Sequence, residues 1–167
     1  MRKLGLLALT FILLLVFGCN QKGGTEILEQ SLIVSEKSLP NSFDQMATEH
    51  DKQKYVVERV KNKEDYQEMW SKFQIKEELV DVDTDDKDIL FIGLFESSSC
   101  PYDIKDMVAN TEKHELEVNL VSKDGNCTAD DSPKNFVLTM DKSISNELAT
   151  LVLVNNSKRI LLPISDN

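Results

Sequence analysis

Few side chains in this 167-residue sequence could act as nucleophile, base or metal ligand, and their spacing narrows the field further. There are three cysteines, Cys19, Cys100 and Cys127, and two histidines, His50 and His114. Cys100 and Cys127 are 27 positions apart, which is no CxxC redox or zinc spacing. A Cys100–His114 pair would need an activated thiol, and no neighbouring residue marks one. Ser97-Ser98-Ser99 offers three adjacent hydroxyls, but not in a nucleophile-elbow pattern, and no histidine is close in sequence to serve as base. Asp81, Asp83 and Asp85 occupy the first, third and fifth places of a calcium loop, yet Asp86 stands where that loop needs glycine and Ile92 where it needs glutamate. Such a run reads first as a solvated acidic face and only second as a cation site. With no Gly-rich phosphate loop and no paired catalytic carboxylates, the sequence assigns no catalytic residue and no cofactor.

The remaining cysteine sits in a different context. Arg2 and Lys3 open the chain, Leu4 to Phe17 is apolar apart from Gly5 and Thr10, and charge returns only at Lys22. An apolar run of about 14 residues is shorter than the ~20 needed to span hydrocarbon, so residues 1–18 read as a secretion signal. The closing residues Val16-Phe17-Gly18-Cys19 resemble the lipobox of bacterial lipoproteins. That resemblance implies that the Cys19 thiol receives a diacylglyceryl group, that the preceding peptide is removed, and that acyl chains on Cys19 hold the protein at the extracytoplasmic face of the cell membrane. The polar, glycine-containing stretch 19–26 then reads as a flexible tether and 27–167 as one domain.

With Cys19 given to lipid, Cys100 and Cys127 form an even pair in an oxidising compartment, and one structural disulfide is expected. It would tie the end of one strand to a later turn.

The whole chain has 19 basic and 29 acidic side chains, a net charge of −10. Loss of Arg2 and Lys3 makes the mature balance more negative still. This argues against a phosphate-tracking nucleic-acid binder, which needs a cationic face, and an anionic lipid surface would repel the tethered body.

The elements that must carry these residues read as mainly β. Ile27 to Val34 suits either a short helix or an edge strand, ended by Pro40. Tyr55 to Val60 is a short β-branched strand, after which Asn62 is placed to cap a helix. Tyr66, Met69, Trp70 and Phe73 fall on one stripe of that helix, which must cover a sheet. Val80 and Val82 alternate with carboxylates as an edge segment would. Ile89 to Phe95 is apolar on both alternations, as in a central strand covered on two faces. Asp103–Ala109, Leu116–Leu120 and Phe136–Met140 read as further strands, and Asn155-Asn156-Ser157-Lys158 as the turn of a hairpin. The expected fold is an antiparallel sheet or small sandwich with one packed helix and a single disulfide, its C-terminal half a run of short antiparallel strands.

Together, Tyr66–Phe73, Val80-Asp81-Val82-Asp83, the strand to Phe95, Ser99-Cys100-Pro101 and Gly125-Asn126-Cys127-Thr128 resemble small uncharacterised lipoproteins of bacillus-type bacteria, over roughly residues 55–155. More distantly, the strand and its Ser97–Ile104 loop resemble the C-terminal domain of the protease-complex protein PrcB, with Cys100-Pro101 where that family has Gly-Gly. The likeness implies a small mainly β module that mediates protein contacts, and it supplies no catalytic residue. The function expected is thus a non-catalytic binding or interaction module whose partner is an envelope protein. The alternatives are an accessory lipoprotein for a cation or small molecule, and a hydrolase using the Ser97–Cys100 loop. A ligand would be sought at Ser97, Ser98, Ser99 and Tyr102 with the facing Thr128.

Overall fold

The computed structural model describes residues 25–26, 31–123 and 125–167. In chain order the elements are β1 (Thr25–Glu26), β2 (Leu32–Glu36), α1 (Phe43–Met46), β3 (Thr48–His50), β4 (Gln53–Val60) and α2 (Lys63–Lys72). There follow β5 (Lys87–Glu96), β6 (Tyr102–Asn110), β7 (Glu115–Ser122), β8 (Ser132–Asp141), α3 (Lys142–Ser145), β9 (Thr150–Asn155), β10 (Lys158–Pro163) and β11 (Ser165–Asp166). One sheet has the order β1-β6-β7-β9-β10, the other β11-β4-β5-β8-β2, with β3 paired to β4. They face each other as a sandwich, and α2 covers the outer side of the second sheet.

β5 shows why. Its residues alternate between two apolar environments, so both faces must be covered. Leu90, Ile92 and Leu94 enter the sandwich interior with Val118, Leu138 and Leu153. Ile89 and Phe91 enter the helix-covered layer with Tyr66, Met69, Trp70 and Phe73. There the Phe91 ring lies 5.1 Å from Phe73 and 6.2 Å from Tyr66. Burying each such side chain is worth about 1.5–3 kcal/mol, so this stripe is a core and not an aromatic ligand platform. The Asn62 side chain accepts from the Asp65 N–H at 2.9 Å and sets the helix start. Gly93 lets the chain before α1 pack closely, since a Cβ there would come within 2.8 Å of Leu39 Cδ2.

β8 corrects the expectation for the C-terminal half. Lys134 to Met140 is buried throughout, so β8 crosses into the second sheet and pairs with β5 from Lys87↔Asp141 to Glu96↔Ser132. β9 then returns beside β7 and pairs with it in parallel, Glu115↔Thr150 to Leu120↔Asn155, and a short parallel pair also joins β11 to β4. The expected hairpin is β9–β10, turned by Asn156 and Ser157 with φ of 46° and 69°. The turn type needs both residues at positive φ, which Asn tolerates best.

Four further readings are changed or settled. α1 and α3 add two single-turn helices to the one expected. Leu32–Glu36 is an edge strand on β8, which resolves its earlier ambiguity in favour of strand. Val80–Asp83 is no strand: the Val80 carbonyl accepts the Tyr66 hydroxyl at 3.1 Å and the nearby Glu77 carbonyl accepts Trp70 Nε1–H at 3.2 Å. The buried aromatic rings of α2 thus take backbone acceptors from the acidic connector. Thr25 and Glu26, assigned to the tether, pair with Ala109 and Val108 of β6. No helix among the described residues is long and apolar enough to cross a membrane. Cys19 and the rest of residues 1–24 lie outside the described residues.

Candidate functional site

Two connections cross between the sheets at the same end of the sandwich: β5 to β6, and β7 to β8. Cys100 lies in the first and Cys127 in the second, and the expected disulfide joins them with Cα atoms 5.5 Å apart. In the chain-entropy model, closing a loop of about 28 residues contributes roughly 3–4 kcal/mol.

Beside the bridge, the expected hydroxyls come together. Thr128 Oγ1 is 3.0 Å from Ser97 Oγ and 3.1 Å from Ser99 Oγ, and Ser99 Oγ accepts the Thr128 N–H at 2.9 Å. The Thr128 hydroxyl donates to Asp130 Oδ1, which also accepts the Ser98 N–H at 3.2 Å. Hydrogen bonds from Thr128 and Ser98 hold the Asp130 carboxyl below the usual carboxylate range. That makes Asp130 a weaker base, and neither histidine is bonded to these serines. His114 lies in the β6–β7 turn at the opposite end of the sandwich, its Nδ1 2.6 Å from the Glu147 carbonyl. The cluster satisfies itself, so it ties the two loops together; it is not poised for acyl transfer.

Tyr102 departs from that group. Its hydroxyl accepts Asn155 Nδ2–H at 3.1 Å, and its ring lines a cavity of about 200 Å³ between the sheets. The apolar walls include Leu94, Leu120, Leu153 and Ile160, and the polar groups are Gln53, Tyr55, Tyr102, Asn155 and Lys158. Neither Ser97, Ser98, Ser99 nor Thr128 lines it. The Tyr55 hydroxyl donates to Gln53 Oε1 at 2.7 Å. Burial, reinforced by Tyr102 and Asp51, pushes Tyr55 up to about 12, so it stays neutral at physiological pH. Lys158 pairs with Asp51 at 3.1 Å. Asn155 Oδ1 is buried and has no partner, and the same holds for Glu96 Oε1. Glu96 Oε2 accepts the Tyr102 N–H at 2.6 Å. A second cavity of about 240 Å³ shares Gln53, Tyr55 and Phe95 and adds Asp44, Lys52, Lys54 and Asp131. Lys54 there bonds Asp44 at 2.8 Å.

The carboxylates Asp81, Asp83 and Asp85 do not gather around a common point. Asp81 pairs with Lys63 at 3.2 Å, and Asp83 Oδ1 accepts the Asp85 N–H at 3.0 Å. Among the described residues no three His, Cys, Asp or Glu side chains are placed to hold a metal ion.

Sequence reasoning passed over Tyr55 and Asn155. Each was read only as part of a strand or a turn, and the signal available was a polar tip at the end of an otherwise apolar strand. No protein-family model, no curated protein sequence and no solved structure matches the chain.

Proposed function

We propose that the protein is a lipid-anchored lipoprotein on the extracytoplasmic face of the cell membrane, and that its sandwich is a non-catalytic binding module with an envelope protein as partner. The observation carrying this reading is the Cys100–Cys127 disulfide. Disulfides persist outside the reducing cytoplasm, and this one accounts for two of the three cysteines. Cys19 remains, at the end of an apolar segment and in a lipobox-like sequence. Diacylation there would give a two-chain anchor, which stays in a bilayer where one chain would exchange. The acidic body, repelled by anionic lipid, would then face outward to its partner.

The second reading, an accessory lipoprotein for a small molecule, is favoured by the cavity beside Tyr102 and Asn155. The hydrolase reading has no observation in its favour.

The test of the anchor is Cys19→Ala with labelled palmitate. The expected result is loss of label and appearance of unprocessed or soluble protein, with the disulfide retained. Label that persists in the variant overturns the assignment.

A further inference from the structure

We infer that the tether holds the sandwich with the end that carries α3 and the β6–β7 turn toward the bilayer, so that the surface offered to a protein partner is the opposite, disulfide-tied end. This rests on the reading of Cys19 as the lipid anchor, and adds to it which end of the body the partner meets.

The chain enters the described fold through β1, whose Thr25 and Glu26 pair antiparallel with Ala109 and Val108. β6 runs from Tyr102, near the bridge, to Asn110, where the turn to β7 begins. Ala109 is one residue from that turn, so the entry point lies at the turn's end of the sandwich. α3 belongs to the same end, because the Ala149 and Thr150 N–H groups that follow it both donate to the His114 carbonyl of the turn, at 2.9 Å and 3.0 Å.

From Cys19 to Thr25 there are six residue steps, which span at most about 22 Å when fully extended. From Ala109 back to Tyr102 there are seven, about 23 Å along a strand, and the bridged loops 97–101 and 125–131 extend past Tyr102. Turning the disulfide end to the lipid would therefore carry the entry point farther from the membrane than the tether reaches. The body can stand on its α3 end or lean over, but it cannot invert. Repulsion between this acidic body and an anionic leaflet opposes leaning, since it lifts the end that has no tether.

At the raised end Ser98, Ser99, Thr128, Ala129 and Asp130 are exposed. The bridge and the hydroxyl bonds to Thr128 fix the two loops against each other, so this surface keeps its shape without a partner. The partner that fits it is an envelope protein whose water-exposed part reaches tens of ångströms above the headgroups; a protein confined to the lipid surface would meet the β6–β7 turn instead.

The experiment uses the full chain, produced with its own leader, purified acylated and placed in phosphatidylglycerol vesicles that contain a rhodamine-headgroup lipid. With Cys19 in lipid and the other two cysteines in the bridge, a donor dye is attached through Glu112→Cys in the β6–β7 turn or through Ala129→Cys beside the bridge, both exposed positions. Energy transfer to the lipid is expected to be severalfold more efficient from position 112 than from position 129. A flexible Gly/Ser insertion of about 30 residues between Gly24 and Thr25, with an r.m.s. span of about 30 Å, should bring the two efficiencies together. Equal transfer without the insertion, stronger transfer from position 129, or a difference that survives the insertion would overturn the inference while leaving the anchor standing. Protein that takes no palmitate and does not stay with the vesicles would overturn the anchor reading, and the inference with it.

Discussion

The two ends of the sandwich interior are closed by different means. At one end α3 lies beside β5 and β8, and the buried Arg59 of β4 reaches it. Its guanidinium donates to the Ser145 carbonyl and, at 3.0 Å, to the Leu148 carbonyl, while Nε–H donates to Asp166 at 2.6 Å. Lys142 adds bonds from α3 to the Thr84 carbonyl at 2.7 Å and the Lys61 carbonyl at 3.2 Å. At the other end the inter-sheet connections are held by the Cys100–Cys127 bridge and the hydroxyl cluster, and the cavity lies inside them. Hydrogen bonds of a buried cation constrain only if its donors touch their acceptors, so the chain at that end closes directly on the guanidinium. A covalent bridge fixes the chain whether or not the space behind it is occupied. The cavity accordingly lies at the covalently closed end. The α3 end has its own exception, since both carboxylate oxygens of the fully buried Asp88 lack a hydrogen-bond partner.

The largest expected effect is at the bridge. Replacing both Cys100 and Cys127 by serine should destabilise the domain by roughly 3–4 kcal/mol, read as a lower melting temperature with membrane attachment unchanged. Superimposable melting curves would mean that the hydroxyl cluster and packing suffice, and the contrast between the ends would disappear. Arg59→Met is expected to cost somewhat less, about 2–3 kcal/mol in urea unfolding, because two buried carbonyls lose a charged donor while the methionine keeps much of the volume. A loss below about 0.5 kcal/mol, the range of ordinary surface substitutions, would show that packing alone closes that end.

How much of this arrangement could be read in advance depended on how local its cause was. The α2 stripe, its Asn62 cap and the β9–β10 turn follow from spacing and side-chain geometry within a few residues, and each lies where the pattern puts it. The central position of β5 followed from its apolar run on both alternations. The parallel pairing of β7 with β9 did not, because it depends on which sheet β8 enters, and that is settled by partners distant in sequence. The hydroxyls of Ser97–Ser99 and Thr128 stand together because the disulfide fixes the proximity of their two loops. The cavity was not legible: Tyr55, Tyr102 and Asn155 come from three strands in two sheets, and each taken alone is an unremarkable strand residue.

The smallest expected effect separates the two ends by the sign of their pH dependence. At the α3 end, the hydrogen bond from Arg59 and the further one from Lys61 hold the Asp166 carboxyl below its ordinary range. Its contribution is therefore present above the unfolded value and is lost as pH falls through the folded one. At the cavity end, burial raises Glu96, against the Tyr102 N–H and the charges of Lys134 and Lys37, which favour its anion. Stability from this group is fully present below the ordinary glutamate value and is lost as pH rises through the raised one. Glu96→Gln keeps an acceptor for the Tyr102 N–H and removes the charge. The variant should match the wild type in acid and exceed it at neutral pH by at most about 1 kcal/mol, seen as a urea midpoint difference that opens as pH rises. A variant that is weaker at neutral pH, with a deficit that grows on raising pH, would mean that the Tyr102 N–H and the lysines outweigh burial. Both ends would then favour their anions, and the opposition of sign would be gone.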